Sequence, residues 1–472
     1  MAPIVTCSRT MRLMSAPHEH ADPNVCEIAL VTLNICPDPT KFRVIQSMSD
    51  FPSRTRTHPI DREAAEQDYR RAREQLAAMD IVGAAQWLEL AAAHEHPAAL
   101  TELAILHLHG FGREANLAHA VELLLRAEHA GGTPETPYLL AQIALGGVAL
   151  PREVQRIETW LADSAQRGYP AALRVAALLF GQREEAIHQQ AAVTCLQRAT
   201  DARDPVSAAL LADRLHAGRG VARDPAQALD FANELRAAGI PVELPEPADD
   251  TAAVASLSTI EPPWEALRLI APQPSIERHC ESTEIATCDD LLSDEDCRYL
   301  IYSGARFLER SQVMHPITGQ PLDDEVRTSQ HMSFVPHIDD VGIRVLQQRM
   351  ATMAGLDLAN CEELALLHYG FGDQYRPHRD YFSPSAPQLA MPGGQRHSTV
   401  CVYLNTVLQG GETVFPYCDV TVQSRRGRAV MFRNLHADAS PNPHSLHAGM
   451  PVLAGEKWLA SCWIRMHSLR QF

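Results

Sequence analysis

The chain contains 472 residues, of which 46% are hydrophobic and 21% are charged, and its formal net charge is −17. This length is more than one ordinary hydrophobic core organises, and the apolar content excludes a wholly disordered chain. The excess of acidic residues argues against nucleic acid or an anionic membrane as the partner, with a local basic groove as the alternative.

Residues 1–58 show no steady hydrophobic periodicity and mix Pro, Ser, Thr and His, so we predict a poorly ordered leader. Met48 is an alternative start of the chain. The apolar stretch at 28–35 is too short to span a bilayer. The eleven cysteines form no C-x-x-C pair, which favours reduced thiols and a cytoplasmic location.

Residues 59–240 are rich in Ala, Leu, Glu and Arg, and the segment repeats itself. The tetrapeptide Pro97–Leu100 returns as Pro170–Leu173, and Trp87 and Trp160 have the same separation. This separation is twice a period of about 36 residues, which is typical of stacked helix pairs.

Glycines follow the same period. Gly110, Gly146 and Gly218 fall on it, where turns between helices need backbone angles that other residues resist. The pattern at 209–228 resembles the Sel1-like repeat, a relative of the tetratricopeptide repeat. We therefore predict an all-α solenoid over 59–240, with a generic Ala-rich helical domain as the alternative.

The segment 241–263 is rich in proline and is predicted to be an extended linker. Such a linker would let the repeats present a protein partner to the next domain at a raised effective concentration.

Residues 264–472 are predicted to form an α+β domain. Ser293 is expected to cap one helix, and a second helix is expected over 337–354. Short strands separated by Gly and Pro turns predict a double-sheet barrel or a jelly roll, and we expect a double-stranded β-helix (jelly-roll) core. The predicted strands are 364–369, 399–404, 413–415, 428–432 and 457–464.

Two His and one carboxylate on one face are the usual ligands of Fe(II) in oxygenases, and an H-x-D pair on a strand delivers two of them together. The chain contains four such pairs, His20/Asp22, His337/Asp339, His378/Asp380 and His436/Asp438. Only the third follows a predicted strand through a Gly-containing turn, so its position favours it.

The segment 367–382, around this pair, resembles the catalytic domain of prolyl 4-hydroxylases. Further matching segments follow in order at 394–396, 403–405, 410–416, 427–432 and 445–458. The resemblance covers about 288–467. It implies Fe(II) and 2-oxoglutarate as cofactor and cosubstrate, together with ascorbate.

The resemblance also assigns roles to single residues. His378, Asp380 and His447 match the iron ligands. Lys457 matches the lysine that pairs with the distal carboxylate of 2-oxoglutarate, and Tyr369 matches a tyrosine whose hydroxyl contacts that cosubstrate.

Arg396 and Trp463 match positions associated with the peptide groove. His444 remains an alternative third iron ligand, although it breaks the spacing to Lys457 that the family shows. Met450 replaces a cysteine that is common in the family, and Cys462 replaces a common lysine.

The implied reaction is hydroxylation of a peptidyl proline to 4-hydroxyproline, with O₂ consumed and with succinate and CO₂ released. The implied partner is a protein or peptide substrate that the repeats recruit, and neither nucleic acid nor a membrane is expected. Two alternatives remain open: hydroxylation of another side chain or a small molecule, and a repeat-based adaptor whose oxygenase domain is inactive.

Overall fold

The computed structural model describes residues 61–244, 260–269, 274–311, 313–314, 321–322 and 328–470. The predicted leader at 1–58, the His20/Asp22 pair and most of the predicted linker lie outside these residues. The domain boundaries stay predictions.

Between residues 61 and 244 the chain forms ten α-helices that pack as five consecutive pairs, so the predicted all-α repeat architecture is confirmed. The helices are α1 (Arg62–Ala77), α2 (Ile81–Ala93), α3 (Pro97–His109), α4 (Leu117–His129), α5 (Glu135–Gly146), α6 (Val154–Gln166), α7 (Pro170–Gly181), α8 (Ala186–Asp201), α9 (Pro205–Ala217) and α10 (Pro225–Ala237).

Short polar side chains begin several of these helices. Asn116 and Asp204 each accept a hydrogen bond from a backbone N–H of the first turn. Gly110 and Gly218 end α3 and α9 with φ of 70° and 74°, as the repeat predicts. In the middle unit, Gly147 takes this position with φ 71°, one residue beyond the predicted Gly146.

Among the described residues, the C-terminal domain contains four antiparallel sheets, and the two larger ones agree with the predicted jelly-roll core. The strands are β1 (Glu277–Cys280), β2 (Ile285–Cys288), β3 (Glu309–Arg310), β4 (Val313–Met314), β5 (Pro321–Leu322), β6 (Gln330–Ser333), β7 (Ala365–Tyr369), β8 (Tyr375–His378), β9 (Arg396–Tyr403), β10 (Gln409–Gly410), β11 (Thr413–Phe415), β12 (Val420–Val422), β13 (Ala429–Arg433), β14 (His447–Gly449), β15 (Val452–Ala454) and β16 (Lys457–Arg465).

The larger sheet has eight strands in the order β1-β2-β13-β9-β16-β7-β6-β3, and a four-stranded sheet has the order β12-β11-β14-β8. Apolar side chains from both sheets, among them Leu367, Phe432 and Phe415, pack into one cluster between them. This cluster supports β8 and β14, the strands of the candidate site.

Two helices connect this domain to the repeats. Helix α11 (Asp294–Gly304) packs against β7, α7 and α9, and helix α12 (Val341–Met353) packs against β9, β16, α5 and α7. Ser293 caps α11 as predicted, in a reciprocal arrangement with Asp296.

Helix α12 is shorter than the predicted 337–354 helix because Asp340 caps it. His337 and Asp339 therefore precede the helix. The Asp339 carboxylate lies 2.8 Å from Nε of Arg344, in a buried ion pair.

Helices α11 and α12 thus lie between the large sheet and the first helices of three repeat pairs. One apolar cluster runs without a break from Leu88 in α2 to Ile464 in β16. The described residues therefore show repeats that are docked on the C-terminal domain, and the linker at 241–263 stays a prediction. In the described part of the chain, no helix combines the length and apolar character needed to cross a membrane.

Candidate active site

Strands β8 and β14 bring three predicted ligands together. The strands pair antiparallel with His378 directly opposite His447, and Asp380 follows two residues after β8 ends. One ligand atom of each residue lies within 4.8 Å of the other two. Two imidazoles and a carboxylate at this separation can hold one metal ion.

The orientation of both imidazoles suits metal binding. Nδ1 of His378 donates to the carbonyl oxygen of Arg376 at 2.8 Å, and Nδ1 of His447 donates to that of Ser445 at 2.9 Å. A carbonyl can only accept, so each ring carries its proton on Nδ1 and turns Nε2 toward Asp380. The two Nε2 atoms lie 3.6 and 3.9 Å from the Asp380 oxygens, too far for hydrogen bonds and suitably spaced for a cation between them.

The Asp380 carboxyl is buried, which opposes its ionisation. The neighbouring His447 and His378 nevertheless hold its pKa below the ordinary value. An anionic carboxylate is the form that binds a divalent metal, and the arrangement therefore fits Fe(II).

A hydroxyl fixes this carboxylate in place. Thr399 Oγ1 donates to Asp380 Oδ2 at 2.7 Å, and Asn434 Nδ2 donates to Thr399 Oγ1 at 2.9 Å. Neither residue was predicted from the sequence as part of the site. Thr399 lay in a predicted strand, but no local pattern indicates which carboxylate its hydroxyl meets.

Lys457 begins β16 directly opposite Tyr369 of β7. Its ammonium lies 5.2 Å from the Tyr369 ring centroid and 5.3 Å from that of Tyr403. Burial lowers the pKa of Lys457 to about 8. Among the described residues no carboxylate forms an ion pair with this ammonium, so the site offers a buried cation for an incoming anion.

Arg396 and Trp463 lie together beside the three ligands. The Arg396 guanidinium is 4.3 Å from the Trp463 ring centroid, and one of its nitrogens is 3.3 Å from the Asp380 carbonyl oxygen. Its other nitrogens donate to both oxygens of Glu362 at 2.8 and 2.6 Å. Glu362 was not predicted from the sequence as a site residue. The Trp463 Nε1 is buried and has no hydrogen-bond partner in the described part of the chain.

Tyr375 is a further site residue that the sequence analysis did not single out, although it lies inside the 367–382 motif. Its ring stacks on the His378 imidazole with centroids 3.4 Å apart. It therefore forms part of the wall beside the metal position.

The competing candidates lie elsewhere. His444 is in a 3₁₀ turn, and its ring stacks on the exposed Tyr417 with centroids 5.2 Å apart. Asp438, of the His436/Asp438 pair, is exposed and accepts hydrogen bonds from Ser440.

Comparison with known proteins identifies the enzyme family to which this chain is similar. A model of the 2OG-Fe(II) oxygenase superfamily matches residues 364–465. Probable prolyl 4-hydroxylase 6 of Arabidopsis thaliana is 39% identical over 197 residues, which are 38% of this chain and 67% of that protein. Prolyl 4-hydroxylase 5 of the same plant is 33% identical over 200 residues, 38% of this chain and 68% of the relative. The chain thus spans about two thirds of the length of these relatives.

Two solved structures were also found. A viral collagen prolyl hydroxylase from Paramecium Bursaria Chlorella virus-1 aligns with 26% identity and a TM-score of 0.31, over 38% of this chain and 95% of that one. A Sel1 repeat protein from Oxalobacter formigenes aligns with 19% identity and a TM-score of 0.32, over 37% of this chain and 72% of that one.

Proposed function

Because the chain belongs to the prolyl 4-hydroxylase family of 2-oxoglutarate- and Fe(II)-dependent dioxygenases, we propose that it hydroxylates a proline residue in a protein or peptide. When bound, Fe(II) and 2-oxoglutarate supply the O₂-dependent oxidation, which releases succinate and CO₂. The protein supplies the binding, the orientation and the exclusion of water.

The observation that carries the proposal is the meeting of His378, Asp380 and His447 near buried Lys457, which has no ion-pair partner among the described residues. His378, Asp380 and His447 would hold Fe(II). The Lys457 ammonium would bind the distal carboxylate of 2-oxoglutarate, and the Tyr369 hydroxyl would donate to the same cosubstrate.

The substrate peptide passes the side of the site where Arg396 and Trp463 lie. Both side chains are partly exposed, so a peptide can contact them. Glu362 holds Arg396 by two hydrogen bonds, so this wall is rigid before the substrate arrives.

Ascorbate serves as the reductant that keeps the iron in its ferrous form. The eight cysteines of the described residues are free thiols, which fits a reducing compartment such as the cytoplasm. The net charge of −17 disfavours nucleic acid as the partner. Recruitment of a protein substrate by the repeats would use surfaces that α11 and α12 leave uncovered.

The proposal is tested by measuring succinate formation and, by mass spectrometry, the gain of one oxygen atom on proline-containing peptides. We expect the wild-type protein to show both when supplied with Fe(II), 2-oxoglutarate and O₂. His447→Ala should abolish both, whereas the matched His444→Ala should keep most of the activity.

Each failure has a distinct meaning. If His444→Ala is inactive and His447→Ala is active, the assignment of His447 as the third iron ligand is wrong. If succinate forms but the oxygen appears on another side chain, the substrate class is wrong. If the wild-type protein forms no succinate, the chain is a repeat-based adaptor.

A further inference from the structure

Two cysteines that are distant in the sequence meet at the surface of the C-terminal domain. Cys280 ends β1, and Cys418 lies in the turn between β11 and β12. They are 138 positions apart in the chain, and their Sγ atoms are 2.7 Å apart. Both side chains are half-buried, so small molecules in solution can reach them.

We propose that Cys280 and Cys418 are a redox modification site, and that a low-molecular-weight disulfide such as glutathione disulfide converts them reversibly into an intramolecular disulfide. The proposal is independent of the hydroxylase function because it needs neither iron nor 2-oxoglutarate.

The surroundings favour Cys280 as the attacking thiol. Ser282 Oγ lies 3.2 Å from the Cys280 sulfur. Burial opposes ionisation, but the hydrogen bonds between Cys280 and its neighbours Cys418 and Ser282 lower the pKa of Cys280 below the ordinary value. Burial raises the pKa of Cys418, and its hydrogen bond to Cys280 adds to this effect. The pair therefore contains one activated and one resolving thiol.

The thiol–disulfide exchange proceeds in two steps. The Cys280 thiolate attacks one sulfur of glutathione disulfide, whose S–S bond breaks; a mixed disulfide forms on Cys280, and one glutathione leaves as its thiolate. The Cys418 thiolate then attacks the Cys280 sulfur and expels the second glutathione. The two protein thiols lose two electrons and two protons, and glutathione disulfide gains them as two thiols.

The new bond would join the two sheets next to the candidate active site. Cys280 belongs to the edge strand of the large sheet, and Cys418 follows β11, which pairs with β14 that carries His447. Phe415, three residues before Cys418, lies with its ring centroid 5.6 Å from that of His447. Oxidation should therefore stiffen the wall beside the proposed metal.

A second thiol pair offers an internal control. Cys361 and Cys462 are also hydrogen-bonded to each other, but both are fully buried. A solution oxidant reaches Cys280 and Cys418 and does not reach this second pair.

The test treats the full-length protein with glutathione disulfide, alkylates the remaining thiols and maps the peptides without reduction. We expect a cross-linked peptide that contains Cys280 and Cys418, alkylated Cys361 and Cys462, and a rise in Tm of several degrees. The same peptide map also reports whether Cys7, Cys26 and Cys36, which lie outside the described residues, are alkylated.

Cysteine variants distinguish the roles of the two thiols. Cys418→Ser should trap glutathione on Cys280, and Cys280→Ser should leave Cys418 largely unmodified; both should lose the rise in Tm. The control Cys195→Ala, at a buried site in α8, should keep the cross-link. The proposal is overturned if Cys280 and Cys418 remain alkylated after oxidation, or if each is found only in disulfides to other cysteines.

Discussion

At the residue scale, the carboxylate of Asp380 is held from several sides. The Thr399 hydroxyl donates to one oxygen, and Arg396 contacts the backbone carbonyl of the same residue. These contacts fix the ligand before a metal arrives, so less conformational entropy is lost on binding.

Replacing Thr399 tests this role. Thr399→Val keeps the shape of the side chain but removes the donor to Asp380 Oδ2. We expect the affinity for Fe(II) to fall by about 10–100-fold, as when other hydrogen-bond partners of metal ligands are lost. Thr399→Ser keeps the hydroxyl and should restore most of the affinity. Anaerobic calorimetric titration measures the effect, and an unchanged affinity in the valine variant would contradict it.

The lowered pKa of Lys457 predicts a pH dependence of cosubstrate binding. In the free protein the ammonium titrates at about 8 because burial disfavours its charge, and a bound carboxylate would favour the charged form. The affinity for 2-oxoglutarate is therefore fully present below this pKa and is lost as the pH rises above it. We expect Kd to be constant near neutrality and to rise about tenfold per pH unit well above 8.

Lys457→Met is the matched control, because it keeps the length of the side chain without the charge. It should bind 2-oxoglutarate more weakly by about 2–5 kcal/mol and show no such pH dependence. If both proteins lose affinity in parallel above pH 8, the titrating group is not Lys457.

At the element scale, sheet register decides which side chains meet. The pairing of β8 with β14 places His378 opposite His447, and the pairing of β16 with β7 places Lys457 opposite Tyr369. The strands predicted at 364–369, 399–404, 413–415, 428–432 and 457–464 correspond to β7, β9, β11, β13 and β16. Runs of mainly apolar residues marked these strands, because nearly every position of β7, β13 and β16 is buried.

Several short strands were not predicted from the sequence. Strand β8 has four residues and β14 has three, and both contain polar site residues. Such segments have too few alternating positions to indicate a strand. Their pairing is stabilised by neighbouring strands and by the apolar cluster between the sheets.

At the scale of the whole molecule, the repeats and the C-terminal domain share an interface that contains buried charges. Arg214 of α9 donates two hydrogen bonds, both of 2.6 Å, to the Glu295 carboxylate of α11. The Arg214 side chain is 2% exposed and that of Glu295 is 11% exposed. Leaving one such charge without its partner is costly, so the domains should unfold together.

Glu295→Gln tests the interface. We expect the free energy of unfolding to fall by about 3–5 kcal/mol, because the Arg214 charge stays buried without an ionic partner. The exposed ion pair between Asp163 and Arg167 provides the control, and Asp163→Asn should cost less than about 1 kcal/mol. Urea-induced unfolding measures both changes, and an equally small loss in the two variants would show that the domains are not docked in solution.

The sequence by itself determined the repeat period, the main strands and the candidate ligands. These features depend on local geometry: glycines end helices at regular intervals, and His378 and Asp380 are two residues apart at a strand end. The resemblance to a family added His447, Lys457 and Tyr369, since spacing alone does not connect them.

Only the tertiary structure decided which distant groups contact each other. Thr399 and Asp380, Arg396 and Glu362, Arg214 and Glu295, and Cys280 and Cys418 are each brought together by sheet register or by helix docking. Proline richness at 241–263 predicts an extended linker, but it does not indicate that the apolar faces of α11 and α12 pack on α5, α7 and α9. Composition reports how extended a segment is, whereas the burial of complementary surfaces elsewhere in the chain decides whether the domains touch.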